Sequence, residues 1–351
     1  MFRPHIQAMS GYQPGEQPRR DKVIKLNTNE NPYPCSPKVI EAIKQAAERG
    51  LQKYPDPMAT AFRERAAALL AGRVPGITAD WILCGNGSDD ILTILTRATV
   101  GEGDVVRFAQ PSYVLYKTLA EIQGATCDIV DFASDWTLGD EFIRGQDRLK
   151  IAFLPNPNSP SGTVLPLDRV REIAAALPCP LIVDEAYVDF AESDCTPLVA
   201  ENERVIVTRT LSKSYALAGL RFGYAIAQPQ VIEELVKVKD SYNCDAISIA
   251  AATAAIDDQR WLAENRRKII ATRERMTAAL RDRGFTVTES QANFVWCTHP
   301  NRDLKQLYEQ LKSVGVLVRY MTYPGWPEGL RISVGTDEQV EACLGLVDSA
   351  R

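Results

Sequence analysis

Short apolar runs alternate with stretches of helical pattern between residues 81 and 227, and this alternation limits the possible folds more than any other feature. The apolar runs lie at 81–84, 104–109, 149–154, 180–187, 204–210 and 222–227. Short runs rich in β-branched residues and separated by helices are typical of parallel strands that are covered on both faces. We therefore expect an α/β fold with a mainly parallel sheet, whose ligands bind at the carboxyl ends of the strands.

The segments outside this pattern divide the chain into three parts. Residues 1–29 are polar and rich in Pro and Gly, and we expect an N-terminal arm that packs with the small domain. Residues 30–245 form the large ligand-binding domain, and residues 246–351 form a smaller α+β domain. A helix is expected at 37–49 with Ser36 as N-cap and Gly50 as its stop. The last helix begins at Thr336, with Gln339 at capping-box spacing.

Composition excludes several classes of protein. The chain has 351 residues, a net charge of −5, and no apolar run long enough to span a membrane. A mildly acidic chain without a basic run is not expected to bind nucleic acid. The eight cysteines are scattered without a CxxC pair, which indicates free thiols rather than a disulfide framework or a metal site. The N-terminus lacks the apolar segment of a secretory signal, so we expect a cytoplasmic protein.

Polar residues follow two of the expected strands. Asp184 ends the run at 180–184, where it could equally be a helix cap or a buried, amide-satisfied acid. Lys213 follows the run at 204–210, and a lysine in such a place is usually a surface residue. Here Ser212 and Ser214 flank it, and Arg221 comes eight residues later. Hydroxyls together with a guanidinium suit a phosphate group.

A second candidate phosphate site lies at Gly85-Asn86-Gly87-Ser88-Asp89, between a strand and a helix. Glycine lets the backbone approach an anion there, and the helix N-terminus offers free amides. Taken alone, the segment could be a tight turn. In combination with the strand-end residues it matches an electron-sink cofactor, which needs a lysine, a carboxylate for its ring nitrogen, a phosphate site and a flat side chain. The residues that could fill these roles are Lys213, Asp184, Ser88, Asp89, Ser212, Arg221 and Tyr113.

Seven segments give the chain a family resemblance. They are KLNTNENPY (25–33), YPDP (54–57), GNGSDD (85–90), PNPNSPSGT (155–163), VDEAYVDF (183–190), RTLSKSYALAGLRFG (209–223) and GLRISVGT (329–336). Together they resemble the fold-type I pyridoxal-phosphate aminotransferases of the class-II subgroup, along nearly the whole chain. The first two segments are most similar to the histidinol-phosphate branch of that family. The resemblance implies a seven-stranded, mainly parallel sheet between helices in the large domain.

The resemblance also implies roles in binding pyridoxal 5′-phosphate. Lys213 would form the Schiff base and later move the substrate proton, and Asp184 would keep the ring nitrogen protonated. Tyr187 would donate to the phenolic oxygen, and Tyr113 would stack on the ring. The phosphate would be held by Ser88, Asp89, Ser212 and Arg221. The family's usual asparagine before Pro-Thr/Ser-Gly is Ser159 here, so its contact is lost, made by the serine, or supplied by Asn158.

The implied reaction transfers the amino group of L-histidinol phosphate to 2-oxoglutarate, giving imidazole-acetol phosphate and L-glutamate in histidine biosynthesis. The residues that match substrate-binding positions are Tyr12, Asn29, Tyr54, Arg319 and Arg331. Tyr54 would come from the partner subunit of a homodimer. Arg319 could instead be a surface charge, and Asn29 a turn residue. Two other activities stay open: an aromatic amino acid aminotransferase, and a lyase of the phosphothreonine decarboxylase type.

Overall fold

A computed structural model describes residues 1–10, 16 and 23–349. None of the helices in these residues is long and apolar enough to cross a membrane. The helices described are, in chain order, α1 (Pro4–Ala8), α2 (Pro37–Glu48), α3 (Thr60–Leu70), α4 (Ser88–Thr99), α5 (Leu115–Gln123), α6 (Leu167–Ala176), α7 (Pro197–Glu201), α8 (Pro229–Val236), α9 (Ala246–Asp257), α10 (Gln259–Asp282), α11 (Leu304–Ser313) and α12 (Asp337–Ser349).

The strands described lie in three sheets. They are, in chain order, β1 (Ile24–Lys25), β2 (Ile82–Gly85), β3 (Val105–Gln110), β4 (Thr126–Asp131), β5 (Leu149–Pro155), β6 (Leu181–Asp184), β7 (Val205–Thr210), β8 (Gly223–Ile226), β9 (Thr286–Val287), β10 (Phe294–Thr298), β11 (Val316–Leu317), β12 (Arg319–Met321) and β13 (Gly329–Ser333).

The largest sheet confirms the expected α/β architecture. Its seven strands run in the order β2-β8-β7-β6-β5-β3-β4. Strands β4, β3, β5, β6 and β7 pair in parallel, whereas β8 is antiparallel to both β7 and β2. The carboxyl ends of the central strands therefore meet at one edge of the sheet. Asp184, the last residue of β6, lies between Pro155 of β5 and Thr208 of β7 at this edge.

Burial on both faces explains why the central strands are almost continuously apolar. The side chains of β6 and β7 alternate between two apolar clusters, with Val183 and Val207 in one and Ile182 and Ile206 in the other. These four side chains are at most 3% exposed. A strand that packs against helices on both sides has no polar face, which is why a run of adjacent β-branched residues predicted it.

The C-terminal part of the chain builds a separate, four-stranded sheet in the order β12-β13-β10-β9. Its apolar cluster includes Leu26 of the N-terminal segment, and β1 pairs in parallel with β11. At its other end the arm contacts the large domain, because Nη2 of Arg3 donates to the carbonyl of Ile122 near the C-terminal end of α5, at 3.1 Å. The arm thus contacts both parts of the molecule rather than the small domain alone. We propose 1–29, 30–245 and 246–351 as the division into arm, large domain and small domain.

The expected helix ends are confirmed. The hydroxyl of Ser36 accepts the amide hydrogen of Lys38 at 3.1 Å, and Gly50 has a φ of +91° after the end of α2. The capping box is reciprocal: the amide of Thr336 donates to the Gln339 side chain at 3.0 Å, and the Gln339 amide donates to the Thr336 hydroxyl at 3.3 Å. The apolar run at 316–321 is divided between two sheets, as β11 and β12.

Candidate active site

A cavity of about 190 Å³ lies at the carboxyl edge of the large sheet and collects most of the predicted site residues. The predicted residues that line it are Asn29, Ser88, Asp89, Tyr113, Asp184, Tyr187, Ser212, Lys213, Arg221 and Arg331. They come from the arm, from loops of the large domain and from β13. Residues far apart in the chain are therefore brought together by the sheet edge on one side and by the small domain on the other.

Asp184 occupies the buried end of this cavity, with 5% of the residue exposed. Its Oδ2 accepts the hydroxyl hydrogen of Tyr116 at 2.7 Å. Its Oδ1 accepts from the amide of Ala186 at 3.2 Å and from the hydroxyl of Thr208 at 3.3 Å. Burial raises the pKa of Asp184 to about 6, and the nearby Asp89 carboxylate adds to the rise, although the three donors oppose it. The carboxyl is therefore mostly ionised at neutral pH, where it can pair with a protonated ring nitrogen.

Lys213 follows β7 and is half-buried. Its Nζ donates to the carbonyl of Thr28 at 3.2 Å and lies 5.8 Å from the centre of the Tyr187 ring. The contact with Thr28 comes from the arm segment, which closes this side of the cavity. A lysine amine in a partly closed cavity can form a Schiff base with a carbonyl compound that binds there.

Tyr187 is held by Asn29 of the arm and by Phe294 of the small domain. Its hydroxyl accepts a hydrogen from Nδ2 of Asn29 at 3.0 Å, and its ring packs edge-on against Phe294 at 4.9 Å. Asn29 has a φ of +57°, a conformation that non-glycine residues seldom adopt. The amide of Asn29 donates to the Ser333 hydroxyl at 2.8 Å, and its carbonyl accepts from Asn293 at 2.9 Å. The arm, the cavity tyrosine and the small domain are thus joined through Asn29.

The opposite end of the cavity is built to take an anion. Ser88 and Asp89 form the first turn of the twelve-residue helix α4, whose free amides favour negative charge. Arg221 crosses this turn, with Nη2 3.4 Å from Oδ2 of Asp89 and Nη1 3.4 Å from the hydroxyl of Ser212. A Cβ atom at Gly87 would lie 2.5 Å from Nη2 of Arg221. Glycine is therefore required, both for this contact and for its φ of +88°.

These two ends fit the cofactor that the sequence predicts. A phosphate fits the amide and guanidinium donors at one end, and a pyridine nitrogen fits the carboxylate at the other. Lys213 lies in the wall that both ends share, and Tyr113 lines the same cavity. Gly223 keeps the phosphate end open, because a Cβ atom there would lie 2.5 Å from the amide nitrogen of Ser88.

Side-chain direction distinguishes Asn158 from Ser159 as the residue that faces the cavity. The amide of Asn158 is buried and turned away, since Nδ2 donates to the carbonyl of Pro111 at 3.1 Å and to the hydroxyl of Ser161 at 2.9 Å. Asn158 is not among the residues that line the cavity, whereas Ser159 is. The Ser159 hydroxyl accepts from Nη1 of Arg331 at 2.9 Å. We therefore propose Ser159, not Asn158, as the residue that faces the cofactor here.

A second, larger cavity of about 530 Å³ adjoins the first and shares Thr28, Tyr113, Ser159 and Arg331 with it. Of these two cavities, Arg319 lines the larger and not the smaller. Arg319 and Arg331 are directly opposite partners in the pairing of β12 with β13. Two like charges opposite each other on neighbouring strands destabilise a sheet. A bound anion between them would remove this repulsion.

Tyr54 lies outside both cavities. Tyr54 is 79% exposed and stacks on Tyr242 with ring centres 4.4 Å apart, so it does not reach the cavity within its own chain. Tyr12 lies outside the described residues. The sequence reasoning missed Tyr116 and Thr208, both of which bind Asp184. No sequence signal separates Tyr116 from an ordinary core residue of the amphipathic helix α5.

Known proteins of one kind match this chain over almost its whole length. The family model "Aminotransferase class I and II" matches residues 21–346. A histidinol-phosphate aminotransferase from Rhodopirellula baltica is 54% identical, over 99% of this chain and 95% of that protein. Histidinol-phosphate aminotransferase 1 from Trichormus variabilis is 44% identical, over 96% of this chain and 95% of that protein.

Solved structures agree with these matches. Histidinol-phosphate aminotransferase from Sinorhizobium meliloti, solved in complex with pyridoxal 5′-phosphate, has a TM-score of 0.89 and 27% identity, covering 100% of this chain and 98% of that one. A Thermus thermophilus aspartate aminotransferase variant shares the fold, with a TM-score of 0.84 at 20% identity, covering 100% and 99% of the two chains. Since more than half of the residues are identical to one relative across nearly the full chain, this protein belongs to the class I and II aminotransferase family and, within it, to the histidinol-phosphate aminotransferases.

Proposed function

We propose that this chain is a pyridoxal 5′-phosphate-dependent aminotransferase that moves the amino group of L-histidinol phosphate to 2-oxoglutarate in histidine biosynthesis. The products are imidazole-acetol phosphate and L-glutamate. The observation that carries the substrate class is the pairing of Arg319 with Arg331 beside the cofactor cavity. Both substrates carry an anionic group, a phosphate in one and a carboxylate in the other, that this arginine pair can bind by charge-assisted hydrogen bonds.

Each residue of the cavity has a role in this proposal that follows from its position. When bound, the cofactor supplies an electron sink for the pair of electrons left as a proton leaves the substrate carbon. Asp184 would stabilise the protonated ring nitrogen, and Tyr187 would donate to the ring's phenolic oxygen. Lys213 would move the proton between the substrate carbon and the cofactor's C4′ atom, two bonds away. The backbone amides of Ser88 and Asp89, with Ser212 and Arg221, would hold the phosphate. Tyr113 would support the face of the ring.

The arginine pair positions the substrate for this proton transfer. Arg331 is held from two sides, by Ser159 at 2.9 Å and by the carbonyl of Asn27 at 3.0 Å. Its guanidinium also lies 5.4 Å from the centre of the Phe294 ring. A side chain fixed in this way loses little conformational freedom on binding, and its planar fork matches a phosphate or carboxylate. Arg331 is therefore the main anchor in this proposal, and Arg319 assists it.

The first prediction separates the candidate substrates by a single half-reaction. With the purified, cofactor-loaded enzyme and no amino acceptor, L-histidinol phosphate should convert the cofactor spectrum from its aldehyde form to its amine form. Phenylalanine should do so much more slowly, and phosphothreonine should release no carbon dioxide. Conversion by phenylalanine alone would support an aromatic aminotransferase, and carbon dioxide release would support a lyase. Either result would contradict the proposed substrate.

A companion variant for this experiment is Arg331→Gln, which keeps a polar side chain but shortens it and removes the charge. The apparent KM for L-histidinol phosphate should rise by roughly 10- to 100-fold, as expected when a hydrogen bond between charged groups is lost. The spectrum of the bound cofactor should stay unchanged. Arg283→Gln, at an ion pair with Asp348 that lines neither cavity, should leave both quantities at their wild-type values.

We also propose that the enzyme is a cytoplasmic homodimer in which each subunit lends Tyr54 to its partner's active site. The exposed Tyr54–Tyr242 stack supports this arrangement. Neighbouring surface residues of the same region form a shallow cavity with Tyr54 and Pro55 on one side and Ile247 on the other. A large aromatic pair left open at the surface is a usual mark of a protein–protein contact.

A subunit-mixing experiment tests this second prediction. Lys213→Ala chains and Tyr54→Ala chains are each expected to be impaired alone. Mixed and allowed to exchange, they should recover about a quarter of the wild-type rate, since half of randomly formed dimers hold one site with both residues intact. If Tyr54 served its own subunit, mixing would restore nothing. Chains that carry both Lys213→Ala and Tyr54→Ala, mixed with Lys213→Ala chains, should stay inactive.

A further inference from the structure

We propose that Tyr116 is a positioning residue of the active site, which acts through Asp184 by donating its hydroxyl hydrogen to the carboxylate assigned to the cofactor's ring nitrogen. The inference rests on the proposed transaminase function and adds a residue to its machinery. It concerns the electronic state of the cofactor rather than the identity of the substrate.

Packing gives the Tyr116 hydroxyl a single direction. The residue lies in the first turn of α5 and is fully buried. Its ring stacks on Phe153 with ring centres 4.8 Å apart and planes within 5°, and it meets the Tyr113 ring edge-on at 5.8 Å and 87°. From this position the hydroxyl is 2.7 Å from Oδ2 of Asp184. A ring fixed between two others cannot turn its hydroxyl elsewhere without disturbing the stack.

The donors around Asp184 leave room for the cofactor. A carboxylate can accept at about four lone-pair sites. Among the described residues, Tyr116 donates to one oxygen, and Ala186 and Thr208 donate to the other. All three donors are uncharged, so they orient the carboxylate without supplying the positive charge that a protonated ring nitrogen brings. The Tyr116 bond is the shortest of the three, and it therefore contributes most to the orientation of the carboxylate.

The charges around the pair favour a protonated tyrosine and an ionised aspartate. Burial, helped by the neighbouring Asp184 charge, raises the pKa of Tyr116 well above its usual value, so the phenol stays a donor. Burial and the Asp89 carboxylate raise the pKa of Asp184, whereas the Tyr116 hydrogen bond lowers it. Tyr113 and Tyr187 face the same hydroxyl. The cations Lys213 and Arg221 line the same cavity, and Arg221 is paired with Asp89.

The physical consequence concerns the fraction of Asp184 that is ionised near neutral pH. The pKa of Asp184, about 6, lies close to neutral pH, so the loss of one hydrogen bond changes the fraction of ionised carboxyl. Removing the Tyr116 hydroxyl leaves less carboxylate to pair with the ring nitrogen. The ring is then protonated less of the time, and removal of the substrate proton slows.

The test compares Tyr116→Phe with wild type in two measurements besides turnover. In the full chain freed of cofactor, carbon-13 NMR of labelled aspartate follows the Asp184 titration, which Asp184→Asn assigns. The midpoint should rise by about one pH unit in Tyr116→Phe, the shift expected for loss of a hydrogen bond to a charged group. In the loaded enzyme, the shift of a nitrogen-15 label in the cofactor ring should move towards the unprotonated value. The rate of the half-reaction should fall about tenfold with little change in KM.

The matched control is Tyr215→Phe. Tyr215 is half-buried, its hydroxyl accepts from Nε2 of Gln259 at 3.1 Å, and it lines neither of the two active-site cavities. This variant should leave the Asp184 midpoint and the ring-nitrogen signal in place. An unchanged midpoint in Tyr116→Phe, or an equal shift in Tyr215→Phe, would overturn the inference.

A second substitution covers the case in which Tyr116→Phe does not fold. Incorporation of 3-fluorotyrosine at position 116 keeps the ring stack and makes the phenol a stronger donor, so the Asp184 midpoint should move downwards. No movement, or an upward one, would count against Tyr116. These readouts do not depend on the amino substrate. If the titration shifts while L-histidinol phosphate fails to react, the substrate assignment falls and the role of Tyr116 stands.

Discussion

Lys213→Ala is expected to abolish turnover and to remove the absorption band of the covalently bound cofactor. The variant lacks both the amine that binds the cofactor and the base that moves the substrate proton. A positioned base alone contributes about 10²- to 10⁴-fold to such a step. Single-turnover and steady-state assays with L-histidinol phosphate, together with the absorption spectrum, check this prediction. Multiple turnovers by the variant would contradict the assignment of Lys213.

The control for this variant is Lys237→Ala. Lys237 is exposed and pairs with Glu234 one turn away on the surface. Pairs of this kind contribute little to stability. This substitution should leave the spectrum, the rate and the melting temperature close to wild type. Comparing the two variants separates the loss of a surface lysine from the loss of Lys213 in the cavity.

Asp184→Asn is expected to keep the cofactor bound but to slow removal of the substrate proton by about 100-fold. The amide has the shape of the carboxyl group, yet it cannot pair as an anion with a protonated ring nitrogen, and a hydrogen bond to a charged group is lost. Rapid-mixing absorbance of the half-reaction measures this step directly. A deuterium label on the substrate carbon should increase the slowing further, which shows that the slow step is proton removal. Rates near wild type would contradict the role of Asp184.

The same variant has a pH signature in the cofactor-free protein. The pKa of Asp184 is raised to about 6 in the folded chain, against an ordinary value of 3.8. A raised carboxyl pKa means that the folded state binds more protons than the unfolded state between these values. Stability from this group is therefore complete below about pH 4 and is lost as the pH rises through 6. Asp184→Asn should flatten that part of the melting-temperature profile, and an unchanged profile would contradict the burial argument.

The sequence alone was sufficient for the fold class and for most of the site because both depend on local patterns. Buried parallel strands have continuous apolar sequences, and Val183 and Val207 belong to two such sequences. Functional residues at the carboxyl ends of such strands come directly after the runs, as Asp184 and Lys213 do. The role of Gly87 was also predictable from the sequence, because a backbone that approaches an anion at a helix N-terminus has no space for a side chain.

Side-chain direction was not readable in the same way. Asn158 and Ser159 are neighbours, and either could have faced the cavity. The backbone turns the asparagine amide towards Pro111 and leaves the serine in the wall. Tyr116 was overlooked because a tyrosine on an amphipathic helix is usually a core residue. Only its 2.7 Å distance to the Asp184 carboxyl distinguishes it from one.

By itself the sequence determined the alternating large domain, the family and the chemical groups of the candidate site, because those follow from residue type and spacing along the chain. Only the tertiary structure decided which groups meet. Arg319 and Arg331 become opposite partners through the register of two antiparallel strands. Asn29 joins the arm to Tyr187 across 158 residues, and Tyr116 reaches Asp184 across 68. Such contacts depend on how helices and strands pack in three dimensions, and that packing involves side chains from many segments at once, so no single segment predicts it.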